Sequence, residues 1–221
     1  MVWIKICGLT NREDAEAAAA LGTDALGFIF AAGKRQAERE RVKEIIALLP
    51  EKVEKIGVFL DQDRDYVRET LTYCRLTGVQ LHGSESPRYC RQFRDFTVIK
   101  AFRVDEKRGW DDIRQYVEEE AVHRILLDTY VAGLAGGTGQ TFPWSLIKSR
   151  HTWSDIPLII AGGITPANVS RAIATGEPFG IDVGSGVELE PGKKDRKKMR
   201  QLIIQARAIE GQGEIGRGNG E

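Results

Sequence analysis

The sequence predicts an α/β protein folded as a single-domain (β/α)8 barrel of the TIM type, with parallel strands. Three observations carry that prediction. Eight short β-branched or apolar runs alternate with eight longer amphipathic stretches. Strands alternating with single helices imply right-handed crossovers and a parallel sheet, and eight such units at short spacing favour closure over an open doubly wound sheet. The length of 221 residues falls in the range of about 200 to 250 that closed barrels use as one domain.

The first strand, 3–7, reads Trp-Ile-Lys-Ile-Cys, and the helix predicted over 11–21 starts where Thr10 and Glu13 have capping-box spacing. Strand 25–30 leads to a helix over 38–49, and strand 54–60 to one over 63–74 that Asp63 can cap. After strand 78–82 comes a helix over 86–94, with Ser86 as its cap and Pro87 at a favoured first position. Strands 96–101, 124–128, 157–161 and 180–184 complete the barrel, followed by helices over 110–121, 144–150, 167–175 and 194–209. The barrel domain is expected over 1–210, and the glycine-rich end from 211 to 221 reads as a flexible tail.

Composition narrows the function classes. The 32 Lys and Arg balance 32 Asp and Glu, so no net field draws the chain to nucleic acid or acidic membranes. No apolar run approaches the ~18 residues needed to span a bilayer, and the N-terminus lacks a secretory signal, which points to the cytosol. Cys7, Cys74 and Cys90 are an odd set in a chain long enough to fold without staples, so free thiols are expected. His82, His123 and His151 stand far apart, and no metal-ligand spacing occurs, so no metal site is expected.

In this architecture chemistry belongs at the C-terminal ends of the strands. Strand one ends at Cys7, strand four at His82 and strand six at Asp128, while strands seven and eight run into Gly162-Gly163 and Gly184-Ser185-Gly186. Alternation pairs Lys5 with Cys7 on the inner face, and Gln80 with His82. A thiol and a carboxyl on separate strands suit a proton acceptor and a proton donor. Each also has a plain reading: Cys7 as a small buried apolar group, Asp128 as a structural hydrogen-bonding partner. For Cys7 to act as a base near neutrality its thiolate must be favoured by a neighbouring positive charge or dipole, and Lys5 is one candidate. His82 reads equally as a structural histidine or a substrate contact. Cys74 and Cys90, on helices, read as core, and His123 and His151 as surface residues.

The glycine pairs after strands seven and eight serve tight turns or, at the recurrent phosphate position of such barrels, present backbone N–H groups to an anion. The basic run from Lys193 to Arg200 reads as the solvated face of a helix. Arg35, in the loop after strand two, is either solvated or a clamp for a substrate carboxylate.

Six segments together resemble one known family. They are Lys5-Ile-Cys-Gly-Leu-Thr10, Val79-Gln-Leu-His-Gly83, Leu127-Asp-Thr129, Gly136-Gly-Thr-Gly-Gln-Thr-Phe142, Ala161-Gly-Gly-Ile-Thr-Pro-Ala-Asn-Val169, and Asp182-Val-Gly-Ser-Gly-Val-Glu188 with Pro191-Gly-Lys-Lys-Asp195. In order and in combination they resemble the phosphoribosylanthranilate isomerases of tryptophan biosynthesis. The chain departs from that pattern in a short segment after strand two, with Gly33 where a serine is common, and in Pro143 where an acidic residue is frequent.

The resemblance implies an Amadori rearrangement that needs neither metal nor cofactor, turning an aminoaldose 5-phosphate into an aminoketose. By motif, Cys7 becomes the general base and Asp128 the general acid. Arg35 becomes the contact for the anthranilate carboxylate, and Gly163, Gly184 and Ser185 hold the phosphate. Gln80, His82, Gly162, Asp182 and Gly186 join the substrate-binding set. The expected partner is a small phosphorylated molecule, with no nucleic acid or membrane, and the chain is expected to be a monomer or a homodimer. Two alternatives stand beside this reading. The histidine-pathway isomerase performs the same rearrangement but favours an acidic residue at the end of strand one. A barrel that only binds a phosphorylated ligand would not need both Cys7 and Asp128.

Overall fold

A computed structural model describes residues 1–103, 111–128 and 155–215; side chains 111–112 and 210–215 are not described. Eight parallel strands close into a barrel in sequence order. They are β1 Trp3–Cys7, β2 Ala25–Ile29, β3 Glu54–Phe59, β4 Gly78–Leu81, β5 Thr97–Arg103, β6 Arg124–Asp128, β7 Leu158–Ala161 and β8 Gly180–Val183. Closure is made by β1 against β8, with Trp3 beside Gly180, Lys5 beside Asp182 and Ile6 beside Val183. The described helices are α1 Arg12–Ala20, α2 Arg39–Ile46, α3 Arg64–Tyr73, α4 Pro87–Cys90, α5 Asp111–Glu118, α6 Val169–Gly176 and α7 Arg196–Ile215. The helix expected over 144–150, the Gly136–Gly139 cluster, Pro143 and His151 lie outside the described residues.

Period-two patterning places two cores on the two faces of the strands. Trp3, Ala25, Ile56, Ile99, Ala101, Leu126, Ile159 and Ala161 fill the interior. Residues of opposite parity, such as Ile4, Ile6, Val79, Ile125 and Ile181, join the larger apolar layer under the helices. Lys5 is inward-facing by the same parity and fully buried, an unusual place for an ammonium.

Several helix starts follow their local chemistry. Asp63 accepts from the N–H groups of Asp65 and Tyr66, and Ser86 caps α4 ahead of Pro87. At α1 the capping-box reading is corrected. Asn11 is the cap, accepting from Asp14 N–H at 2.8 Å, because Thr10 is drawn away by the carbonyl of Gly192, to which its hydroxyl donates at 2.6 Å. The region expected as helix 86–94 is one α-helical turn followed by a 3-10 turn at Arg91–Phe93. Between β8 and α7 a 3-10 turn, Ser185–Val187, and a small antiparallel pair, β9 Glu188–Glu190 with β10 Lys193–Lys194, were not anticipated. The Pro191-Gly192 dipeptide is the turn signal that marks them, with Gly192 at φ +86°. Helix α7 extends to Ile215, past position 211 where a tail was expected, and residues 216–221 are not described.

The lower, N-terminal mouth is closed by an aromatic and ionic plug. Trp3 stacks on Phe179 with ring centroids 6.1 Å apart, and its indole donates to Glu54 at 3.0 Å. Arg124 lies over the Trp3 ring at 4.8 Å and pairs with both oxygens of Glu54 at 2.9 and 3.0 Å.

Candidate active site

At the opposite mouth, a cavity of about 240 Å³ gathers all eleven residues singled out from the sequence. Cys7 reaches it from β1, Arg35 from the loop after β2, Gln80 and His82 from β4, and Asp128 from the end of β6. Asp182 belongs to β8, and Gly162, Gly163, Gly184, Ser185 and Gly186 form the turns beyond β7 and β8. Ile29, Val58, Ala161, Ile164 and Val183 supply apolar wall. This is the rim on which a parallel barrel places its chemistry.

The centre of the site is a buried charge cluster. Lys5 Nζ donates to Asp182 Oδ1 at 2.9 Å, with both side chains nearly or wholly removed from solvent. Burial works against the Lys5 ammonium, but the Asp182 carboxylate and the neighbouring thiol outweigh it and hold its pKa above the ordinary value. Burial pushes the Cys7 thiol up; Lys5 and Lys194 pull it down, Asp182 opposes them, and the net direction is upward. Lys5, the candidate cation beside the thiol, does act in the direction that favours the thiolate. Its charge is shared with Asp182, however, and desolvation prevails.

Room at this point comes from β2. Gly27 lies beside Cys7 in the sheet, and a Cβ there would sit 2.9 Å from Cys7 Sγ and 3.0 Å from Lys5 Nζ. Any larger residue would crowd both groups.

On the other side of the cavity, the Gln80 side-chain amide lies 3.0 Å from His82 Nδ1, and His82 Nε2 lies 3.4 Å from Asp128 Oδ2. Gln80 Oε1 is buried without a hydrogen-bond partner among the described residues. His82 thus joins the chain of polar groups leading to Asp128, consistent with either sequence reading of it.

The glycine turns have the geometry of a close-approach wall. Gly162 and Gly163 adopt φ +86° and +64°. A Cβ on Gly186 would lie 1.8 Å from the carbonyl oxygen of Ile164, so the two turns pack backbone to backbone. Asn168 braces the first turn, donating to Gly163 O at 2.9 Å and accepting from Thr165 N–H at 2.8 Å.

Arg35 is not simply solvated. Its Nε and Nη2 grip Glu188 with contacts of 2.6 to 3.0 Å, while its side chain stays about a third exposed at the cavity edge. The basic run is also only partly a solvated face. Lys193, Arg196, Lys197, Lys198 and Arg200 are exposed, but Lys194 is buried and reaches Cys7 O, Gly184 O and Glu188 Oε1. Composition could not separate Lys194 from its neighbours; the short β9–β10 pair turns it inward. Burial opposes the Glu188 carboxylate, but Arg35 and Lys194 overcome it and hold its pKa down at about 2. Cys74 and Cys90 are buried core thiols, and His123 is exposed on the far side, accepting from Val98 N–H. Among the described residues no group of three or more His, Cys, Asp or Glu side chains is arranged to hold a metal ion.

Comparison with known proteins agrees with this geometry. The sequence model of the N-(5'-phosphoribosyl)anthranilate (PRA) isomerase family matches residues 4–205. The isomerase of Desulforudis audaxviator is 44% identical over 209 residues, covering 94% of this chain and 98% of that protein. The crystal structure of the Thermotoga maritima phosphoribosylanthranilate isomerase superposes with a TM-score of 0.84 at 38% identity, covering 94% of this chain and all of that one. Another phosphoribosylanthranilate isomerase, crystallised with reduced 1-(o-carboxyphenylamino)-1-deoxyribulose 5-phosphate, gives 0.81 at 36% identity, again over 94% of this chain and all of that one. With a match running through both halves of the barrel and the site segments intact, this chain belongs to the N-(5'-phosphoribosyl)anthranilate isomerase family.

Proposed function

We propose that this chain converts N-(5'-phosphoribosyl)anthranilate into 1-(2-carboxyphenylamino)-1-deoxyribulose 5-phosphate, as a step of tryptophan biosynthesis. The observation that carries the reading is the single cavity holding Cys7, Asp128, an anion-accepting backbone wall and Arg35 together. Asp128 in its acid form donates a proton to the furanose ring oxygen as the C1–O bond breaks. The anilino nitrogen supplies the electron pair and becomes an iminium. That positive charge acidifies the C2 proton, which the Cys7 thiolate removes. The resulting enolamine tautomerises to the ketone.

The upward-shifted thiol has a consequence for this sequence of events. Burial raises the Cys7 thiol above its ordinary pKa, and the positive charge of the substrate iminium works the other way, favouring the thiolate and release of its proton to solvent. A positioned acid and base each contribute about 10²- to 10⁴-fold. Fixing both substrate ends adds orientation. The backbone around Gly163, Gly184 and Ser185 holds the phosphate, and Gln80, whose Oε1 is unpaired among the described residues, offers an acceptor to the sugar hydroxyls. The guanidinium of Arg35, with Nε and Nη2 set by Glu188, presents Nη1 to the anthranilate carboxylate.

The test is loss of phosphoribosylanthranilate fluorescence on addition of the purified chain, run beside the histidine-pathway aminoaldose. Turnover of the first and not the second is expected. Preference for the second, or turnover of neither, overturns the assignment.

A further inference from the structure

Beyond the groups that face the cavity, one buried cation ties several of them together. The paired register of β1 and β8 ends at Ile6 beside Val183. One residue further on, the carbonyls of Cys7 and Gly184 are both taken by Lys194 Nζ, at 2.6 and 3.1 Å. The third contact of the ammonium is Glu188 Oε1 at 2.8 Å. An ammonium has three N–H donors, so these acceptors saturate it and it has none left for a substrate. Glu188 in turn grips Arg35 through Nε and Nη2. The same lysine is anchored through its own backbone N–H to Asp14 of α1 at 2.7 Å.

We infer that Lys194 is a positioning residue for the reaction, acting as the last rung between β1 and β8 and holding Cys7, the Gly184 turn and, through Glu188, Arg35 in one frame. The inference rests on the isomerase reading above, since it assigns Lys194 no contact with substrate and gives its effect through the base, the phosphate wall and the carboxylate contact. The chemistry of the contacts explains the residue type. Two carbonyls and a carboxylate converging in a buried space require a cation with several donors, and an apolar residue there would remove this donor from both carbonyls and leave Glu188 paired with Arg35 alone. A displacement on the order of 1 Å at a reacting group is enough to cost about 10²-fold in rate.

The experiment measures kcat and KM on phosphoribosylanthranilate for the full chain, Lys194→Met, Lys194→Arg and Glu188→Gln, each checked for folding by circular dichroism and thermal melting. Folded Lys194→Met is expected to lose about tenfold or more in kcat and to raise KM by a similar factor, with Lys194→Arg recovering part of both. Glu188→Gln is expected to raise KM more than it lowers kcat. Combining Lys194→Met with Arg35→Ala should raise KM by less than the product of the single effects, because both act on the same contact. A purely structural lysine would lower the melting temperature and leave the constants of the folded fraction unchanged. Parent-like kcat and KM in folded Lys194→Met overturn the inference. If that variant does not fold, parent-like constants in both Lys194→Arg and Glu188→Gln do so instead. A parent chain inactive on this substrate removes the isomerase reading itself, and this inference with it, a result distinct from an active parent with indifferent variants.

Discussion

The two mouths of the barrel are built from opposite ends of the same eight strands, and both bury charge. At the lower mouth Trp3, Phe179, Arg124 and Glu54 pair with one another. At the upper mouth the charges are just as closely paired, Lys5 with Asp182 and Lys194 and Arg35 with Glu188, yet they surround a cavity. The difference lies in residue size beside the charges. Below, rings cover the ions; above, glycines at 27, 163, 184 and 186 keep the walls back. Charge pairing alone therefore does not mark a site in this molecule. Charge pairing around a cavity lined by the strand ends does.

The sharpest way to break that contrast is to remove the proposed acid or base. Cys7→Ala and Asp128→Asn should each lower kcat by at least about 10²-fold while the protein melts like the parent, measured by steady-state fluorescence and calorimetry. Near-normal turnover in either folded variant would move the chemistry elsewhere. Next in size is closing the wall: Gly186→Ala must displace the Ile164 carbonyl, and KM is expected to rise about tenfold or more with a smaller change in kcat. An unchanged KM would mean that the two turns do not hold the phosphate.

At the other mouth the expectation reverses. Arg124→Ala leaves Glu54 without its bidentate partner and should cost about 1–3 kcal/mol in denaturant unfolding, with kcat within about twofold of the parent. A large kcat effect there would show that the lower plug shapes the site. The smallest effect concerns acid. Glu188 has its pKa lowered from 4.5 to about 2, so its contribution to stability is complete above pH 4.5 and is lost as pH falls toward 2. Glu188→Gln should accordingly flatten the pH dependence of unfolding across that window relative to the parent.

How much of this was readable in the chain depends on the range of the interactions. Strand ends are local, and parity alone put Lys5, Cys7, Gln80 and His82 on the side where they stand. Caps at Asp63 and Ser86 were equally local, whereas Thr10 was misread because its partner, Gly192, lies 182 residues away. Lys194 was hidden for the same reason: in a run of six basic residues, only the hairpin formed by β9 and β10 makes one of them inward. Gly27 carried no signal, since the need for its missing side chain arises only when β1 lies alongside. The thiol's upward shift likewise depends on a balance between burial and three neighbours, two of which, Asp182 and Lys194, come from distant segments.

The ring closes through its first and last strands, and the backbone carbonyl of Cys7 waits for a lysine 187 positions later. The contact spans nearly every element of the barrel, so the surroundings of Cys7 are complete only once β8 and the hairpin after it are in place. A chain cut before that hairpin would thus keep the register of β1 with β8 and lose the ammonium that ties the ends of the two strands together.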